Sequence, residues 1–220
     1  VFSKVDGDVY VCVSDGTGGW YIGGSFTKVG GLIRNNSAHI RADGTVNPDW
    51  NPNANDYVNT LAVSGSTVYV GGRFSSIGGQ TRNNIAAIDA VTGAATDWNP
   101  NADRTVDTLA VSGSTVYAGG KFFSIGGQER KFIAAIDAVT GNATDWNPDA
   151  NDYVNALAVS GSKVYAGGRL RASVGRYVIA LPRSMPTLAS QQTGIQMHTV
   201  LSTLLRSAAR RSMRGGILPA

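Results

Sequence analysis

Short apolar runs alternate with turn residues along most of the chain, at the spacing of strands. Within residues 57–104, Val58, Leu61 and Val63 lead into Ser64-Gly65-Ser66, and Val68-Tyr69-Val70 then runs into Gly71-Gly72. β-branched and aromatic runs bounded by Gly, Ser and Asn predict strands. Residues 85–88, Ile-Ala-Ala-Ile, predict a third strand before the turn at Thr92-Gly93. Residues 96–98 predict a fourth, stopped by Pro100, which has no N–H to give a ladder.

The same pattern returns without a gap in residues 105–152, which agree with 57–104 at 36 of 48 positions. The repeating object is therefore the whole unit, and a fixed period of this length marks a repeat architecture. Trp50, Trp98 and Trp146 recur in Asp-Trp-Asn-Pro tetrads, so Asp97 and Asp145 recur with them, as does Asp49. The doublets Gly71-Gly72, Gly119-Gly120 and Gly167-Gly168 keep the same spacing, and Gly23-Gly24 lies one unit earlier. A four-stranded meander buries its faces poorly alone; stacked radially as blades, neighbouring meanders cover one another. The expected fold is all-β, a small or partial β-propeller of four-stranded antiparallel blades. The Gly doublets then allow close backbone approach or a bulge. The repeated Trp, with Tyr69 and Phe74, is expected to fill the seams between blades, each large aromatic burying about 150–250 Å².

The units resemble the delta-sixty type of β-propeller repeat of bacterial surface and secreted proteins. Val68-Tyr69-Val70-Gly71-Gly72-Arg73-Phe74, Ile77-Gly78-Gly79, Arg82-Asn83-Asn84, Ile85-Ala86-Ala87-Ile88-Asp89 and Asp97-Trp98-Asn99-Pro100 carry the resemblance, which extends over residues 8–170. Kelch propellers, with a Gly doublet after a strand, are the nearest rival. The resemblance implies a propeller, an extracellular or cell-surface location and no transferable catalytic residues.

Four units follow in order: 8–56, 57–104, 105–152 and an incomplete 153–181. The first is divergent. Its turn at Ser14-Asp15-Gly16-Thr17-Gly18-Gly19 is longer than Ser64-Gly65-Ser66 and is similar to an Asp-box turn, although ordinary hairpin chemistry accounts for it. His39 stands where other units carry Ala87 and Ala135, and with no His or Cys nearby it reads as a packed strand residue. The lone Cys12 reads as a small core residue. The chain opens at Val1 with no visible leader, and residues 1–5 are expected to be the tail strand of an upstream unit. The fourth unit loses its pattern after Gly168 and has no Asp-Trp-Asn-Pro. Propellers close with about four to eight blades. Closure by four blades, an open arc and completion by a second chain all remain open, with a fragment of a larger propeller preferred and self-association its consequence.

Net charge changes the picture only at the end. Residues 1–181 hold 14 Lys/Arg against 15 Asp/Glu, while Arg183, Arg206, Arg210, Arg211 and Arg214 carry the excess behind the net +4. A basic tail on a nearly neutral body argues against nucleic-acid binding by that body. Residues 182–220 form this tail, and 199–213 have the spacing of a basic amphipathic helix. A frayed, non-functional end is the preferred alternative. No run of 18 apolar residues encodes a membrane span.

Chemistry is sparse. His39 and His198 are the only histidines, and no Ser-His-Asp order, H-E-x-x-H or phosphate-loop spacing occurs. Asp89 and Asp137 repeat, as do Asp97 and Asp145, which points to turn capping, since an active site is built once. The Asn- and Asp-rich loops at 51–56, 99–103 and 147–152 offer oxygens of the kind that hold Ca²⁺, yet lack an alternating Asp frame; plain turn chemistry is preferred. The expected function is a noncatalytic binding or scaffold module presenting loops to a protein or glycan ligand. The alternative is a propeller-based glycosidase or lyase, whose sign would be a cluster breaking the symmetry in one blade. Glu129, Arg130 and Lys131 are the residues considered for it, and they read as an exposed loop.

Overall fold

The computed structural model describes residues 3–170 and 178–182. Tail assignments beyond residue 182, including the helix at 199–213, lie outside the described residues.

Blade 1 comprises β1 (Val5–Ser14), β2 (Trp20–Val29), β3 (Leu32–Ile33) and β4 (Ser37–Ile40). Blade 2 comprises β5 (Val58–Ser64), β6 (Thr67–Gly72), the small hairpin β7 (Ser76–Ile77) and β8 (Gln80–Thr81), and β9 (Ile85–Asp89). Blade 3 repeats this with β10 (Val106–Ser112), β11 (Thr115–Gly120), β12 (Ser124–Ile125), β13 (Gln128–Glu129) and β14 (Ile133–Asp137). Blade 4 has β15 (Val154–Ser160), β16 (Lys163–Gly168) and β17 (Val178–Pro182). Each blade is an antiparallel meander, ordered β5-β6-β9 in blade 2 and likewise in the others. The inner strands pack in series, β1 on β5, β5 on β10 and β10 on β15.

The turn residues explain the meander. Gly65, between Ser64 and its partner Thr67, has φ +57°, the requirement of the first central position of a type II′ turn, whose twist suits a hairpin. Gly78 and Gly79 both have positive φ and close the β7–β8 hairpin, which swings Ile77 into the seam. The strand pattern of the sequence shows Ile77-Gly78-Gly79 as a repeat marker and does not reveal this hairpin. In blades 1 to 3 the fourth strand is reduced to one bridge each: Ile40 to Val46, Ile88 to Ala95 and Ile136 to Ala143. Pairing stops there because the next residues form the Asp-Trp-Asn-Pro turn, which sends its Trp inward. Val5 pairs with Val29 and belongs to blade 1 itself, so it is no remnant of an upstream strand.

Both faces of a middle blade are buried, which is why its strands alternate apolar with apolar. Val68, Val70, Ala86 and Ile88 face blade 1 with Phe74 and Ile77; Tyr69, Ile85 and Ala87 face blade 3. One tryptophan enters each seam. Trp50 donates its indole N–H to the Asp89 carbonyl at 3.1 Å, and Trp98 does the same to Asp137 at 2.9 Å. Trp50, Trp98 and Trp146 lie against Tyr21, Tyr69 and Tyr117 at centroid distances of 4.9, 5.0 and 5.4 Å. Hydrogen bonds cross the same seams: Leu109 N–H donates to the Thr60 hydroxyl at 3.1 Å and Leu157 N–H to Thr108 at 3.2 Å.

The Gly doublets lie opposite a bulge in each inner strand. A Cβ on Gly71 would sit 2.7 Å from Val106 of the next blade and 2.7 Å from Thr60; one on Gly119 would sit 2.6 Å from Val154. The first glycine of the pair thus lets the next blade's valine dock on bare backbone, and Gly72, Gly120 and Gly168 press on their own blade's inner strand. At Gly167, among the described residues, a Cβ would meet only Ala156, at 3.9 Å. Blade 1 exposes the equivalent face at the start of the series. Val9 aligns with the buried Val58, Val106 and Val154 but is 44% exposed, and Cys12, aligned with Leu61, is also exposed.

Candidate functional site

The bulge that sits opposite each Gly doublet sets one residue per blade at the inner edge: Tyr10, Asn59, Asp107 and Asn155. The residue after each doublet is Ser25, Arg73, Lys121 or Arg169, and the one just before each later inner strand is Tyr57, Thr105 or Tyr153. All three sets lie on one face, because the loops entering the inner strands and the loops after the doublets meet there; Arg73 N–H, for example, donates to the Tyr57 carbonyl at 2.9 Å.

On this face the near-copies stop being copies. Around blade 3 stand Asp107 for Asn59, Lys121 for Arg73, Phe123 for Ser75 and Phe132 for Asn84. Asp107, Lys121, Tyr153, Asn155 and Arg169 line a groove of roughly 510 Å³ at the seam of blades 3 and 4, a size that suits small ligands. Asn59 donates its amide N–H to Asp107 Oδ1 at 3.1 Å. Asp107 Oδ2 is buried with no hydrogen-bond partner, the Lys121 ammonium standing 4.0 Å away. Burial pushes the Asp107 carboxyl above the ordinary carboxylate range, against the pull of Lys121 and Asn59. Lys121 Nζ lies 6.0 Å and the Arg169 guanidinium 5.7 Å from the Tyr153 ring centroid. Phe132 meets that ring edge-on at 5.4 Å and meets Phe123 at 5.3 Å. Phe132 holds φ +66°, where the aligned Asn36 and Asn84 hold +60° and +62°. A bulky residue in this conformation is uncommon and strained, and Asn tolerates it better.

A second groove of roughly 440 Å³ lies on the seam of blades 1 and 2, lined by residues that include Asp6, Thr27, Asn35, Asn55 and Tyr57. Arg73 stands 5.9 Å over the Tyr57 ring.

The positions singled out from the repeat fall elsewhere. Trp50 and Trp98 are buried in seams and Trp146 is half-buried, while Asp97 and Asp145 are exposed. At their turn the acceptor is the Thr96 or Thr144 hydroxyl, which takes the Trp98 or Trp146 N–H at 3.3 Å. Asp89 Oδ1 accepts from Val91 N–H and from the N–H and hydroxyl of Thr92, and Asp137 does the same with Val139 and Thr140. In the Asn-rich loops, Asn55 Oδ1 accepts from Ser75 and Ser76 N–H, and Asp103 Oδ1 from Phe123 and Ser124 N–H. These oxygens hold loop to loop. Among the described residues no group of three His, Cys, Asp or Glu is gathered as a metal site. Arg130, considered for a symmetry-breaking cluster, donates to the Glu129 and Thr144 carbonyls, as Arg82 does to Thr81 and Thr96. Glu129 and Lys131 pair at the surface, 3.3 Å apart.

His39 does have a partner. Its Nε2 meets Asp15 Oδ2 at 2.9 Å, and its ring stacks on Tyr21 at 4.4 Å. Asp15 Oδ1 accepts from Thr17 and Gly19 N–H, so the long turn and the pair form one unit. The turn brings together residues 24 apart in sequence, a relation that pattern alone does not display. Asp107 was also missed, and its signal was available: aligned by 48, position 59/107/155 reads Asn, Asp, Asn.

A family model described as "domain of unknown function (DUF5122) beta-propeller" matches residues 67–89, which run from β6 to β9 of blade 2. No curated protein matches. Among solved structures, the computationally designed Ika4 protein aligns with a TM-score of 0.57 at 14% identity, over 83% of this chain and 95% of that one. The computationally designed Ika8 protein aligns with a TM-score of 0.48 at 18% identity, over 73% of this chain; the chain spans 42% of that protein's length. The molecule is a β-propeller: all-β, built of small antiparallel blades packed face to face. Among the described residues no helix is long and apolar enough to cross a membrane.

Proposed function

We propose that this propeller is a noncatalytic binding module of the delta-sixty repeat type, belonging to a bacterial extracellular or cell-surface protein and binding a glycan or protein on its loop face. One observation carries the reading. In an array of near-copies, the combination of Asp107, Lys121, Tyr153, Asn155 and Arg169 around one groove occurs at one of the three described seams. Structure needs repetition; a ligand needs one particular set. The set combines an aromatic ring, an amide and charges on a scaffold held rigid by its seams, as binding sites on loops commonly do. Repeat boundaries at 1–181, with the basic segment 182–220 as a separate tail, belong to the same proposal.

The alternative reading, a carbohydrate-active enzyme, draws on the raised Asp107 carboxyl, a trait of general acids. Glycoside hydrolysis ordinarily uses two carboxylates, and among the described residues of the groove lining Asp107 is the one carboxylate. Screening the folded chain against glycan and protein-partner arrays tests the binding reading. Binding that falls with Tyr153→Ala supports it. Binding that ignores the groove variants overturns it, and release of reducing ends from a bound glycan turns it into the enzyme.

A further inference from the structure

Resting on the binding-module reading, the geometry points to an anionic sugar as the ligand of the groove between blades 3 and 4: its acidic group lies between Lys121 and Arg169, and its hydroxyls meet Tyr153 and Asn155. Where blades 1 and 2 meet, the aligned positions are Tyr10, Ser25, Tyr57, Asn59 and Arg73, with one cation. Where blades 2 and 3 meet, Thr105 takes the place of the tyrosine. Only the third seam joins two cations to an aromatic ring, and both cations stand within 6.0 Å of its centroid. Both cations stand beside the same ring, where an acidic group of a ligand can pair with either. The tyrosine face and the exposed Asn155 amide suit a flat ring carrying hydroxyls. Carboxylated and sulfated sugars share this chemistry.

Asp107 acts as an internal competitor. Its carboxylate stands 4.0 Å from Lys121 and makes no hydrogen bond with it, so it draws on the cation without satisfying it. Asn at the aligned positions 59 and 155 shows that the fold accepts an amide at this bulge. Asp107→Asn therefore frees Lys121 for the ligand without changing shape.

The test is calorimetric titration of the full chain with an oligogalacturonate, a sulfated oligosaccharide, a neutral oligosaccharide of equal length and an acidic peptide. Melting midpoints check that each variant is folded. The expected result is binding of an acidic sugar at least tenfold tighter than the neutral one. Lys121→Ala and Arg169→Ala each weaken it roughly tenfold, Asp107→Asn strengthens it several-fold, and Arg73→Ala at the other seam leaves it unchanged. The carboxylated and sulfated arms identify the acid. Equal affinity for neutral and acidic sugars, or weaker binding by Asp107→Asn, overturns the inference. A neutral sugar or peptide that binds and is lost with Tyr153→Ala ends the anionic assignment yet leaves the binding module standing. If all four ligands fail against folded protein the inference falls, and if the arrays fail as well the module goes with it.

Discussion

The indole N–H of Trp98 donates to the carbonyl of Asp137 at 2.9 Å, joining one unit's last segment to the next blade's third strand. Residues 39 apart are thereby fixed across a seam, and Trp50 makes the same link to Asp89. Trp98→Ala removes a buried aromatic and orphans the Asp137 carbonyl. It should cost about 3–5 kcal/mol. Trp146→Ala, at a half-buried position, should cost less. Urea unfolding of both variants checks the order; equal losses would mean the seams are not what Trp98 stabilises.

The Gly doublets give a sharper comparison. Gly71→Ala places a Cβ 2.7 Å from Val106, so the seam between blades 2 and 3 must open. Gly167→Ala meets only Ala156 at 3.9 Å, in ordinary contact. Overpacking at the first site should cost about 1–3 kcal/mol, while the second should stay near neutral. If both variants melt together, valine docking on glycine is not the reason for the doublet.

Much of this frame was legible because a period is a long-range signal written in one dimension. Trp50, Trp98 and Trp146 recur because each seam needs the same wedge. The groove was less legible, since Asp107 and Lys121 look like mild variants of Asn59 and Arg73 until the bulge sets them side by side. The Asp15–His39 pair was hidden for a different reason. It depends on how one long turn folds back over β4, which repeat alignment cannot show.

That pair predicts acid sensitivity. Burial tends to raise the Asp15 carboxyl, but the hydrogen bonds from His39, Thr17 and Gly19 outweigh it and bring it to about 2, against about 3.9 in an unfolded chain. A carboxyl held low when folded adds stability that is complete well above pH 4 and is lost as pH falls toward 2. The melting-point gap between wild type and Asp15→Asn should therefore be widest above pH 5, narrow below pH 4 and close as pH falls through about 2. A gap that does not narrow would show that the ionised Asp15 carboxylate adds nothing.

Val9 and Cys12 lie exposed where Val58 and Leu61 are buried, so among the described residues no blade covers this face of blade 1. Apolar faces of this kind favour association. The mass of the chain measured by light scattering is expected to rise with concentration, and Val9→Lys, at a 44% exposed site, should suppress the rise without lowering the melting point. A mass equal to the monomer's over the whole concentration range would rule the association out.

Phe132 offers a test in which the proposed binding and the stability are read separately. Its φ of +66° is strained for a bulky side chain, and it gives up the bond by which Asn84 donates to the Ala102 carbonyl at 2.9 Å and Asn36 to Ala54 at 2.8 Å. What it gains is edge contact with Phe123 and Tyr153, about 0.5–1.5 kcal/mol for each aromatic pair. Strain of about 1–3 kcal/mol and the missing hydrogen bond offset that gain. Phe132→Asn should leave unfolding stability within about 1 kcal/mol of wild type, since the restored hydrogen bond and relieved backbone balance the lost packing. Ligand affinity should still fall, because Tyr153 loses the ring that sets its angle in the groove. A stability loss above about 2 kcal/mol with unchanged binding would make Phe132 a packing residue and remove it from the site.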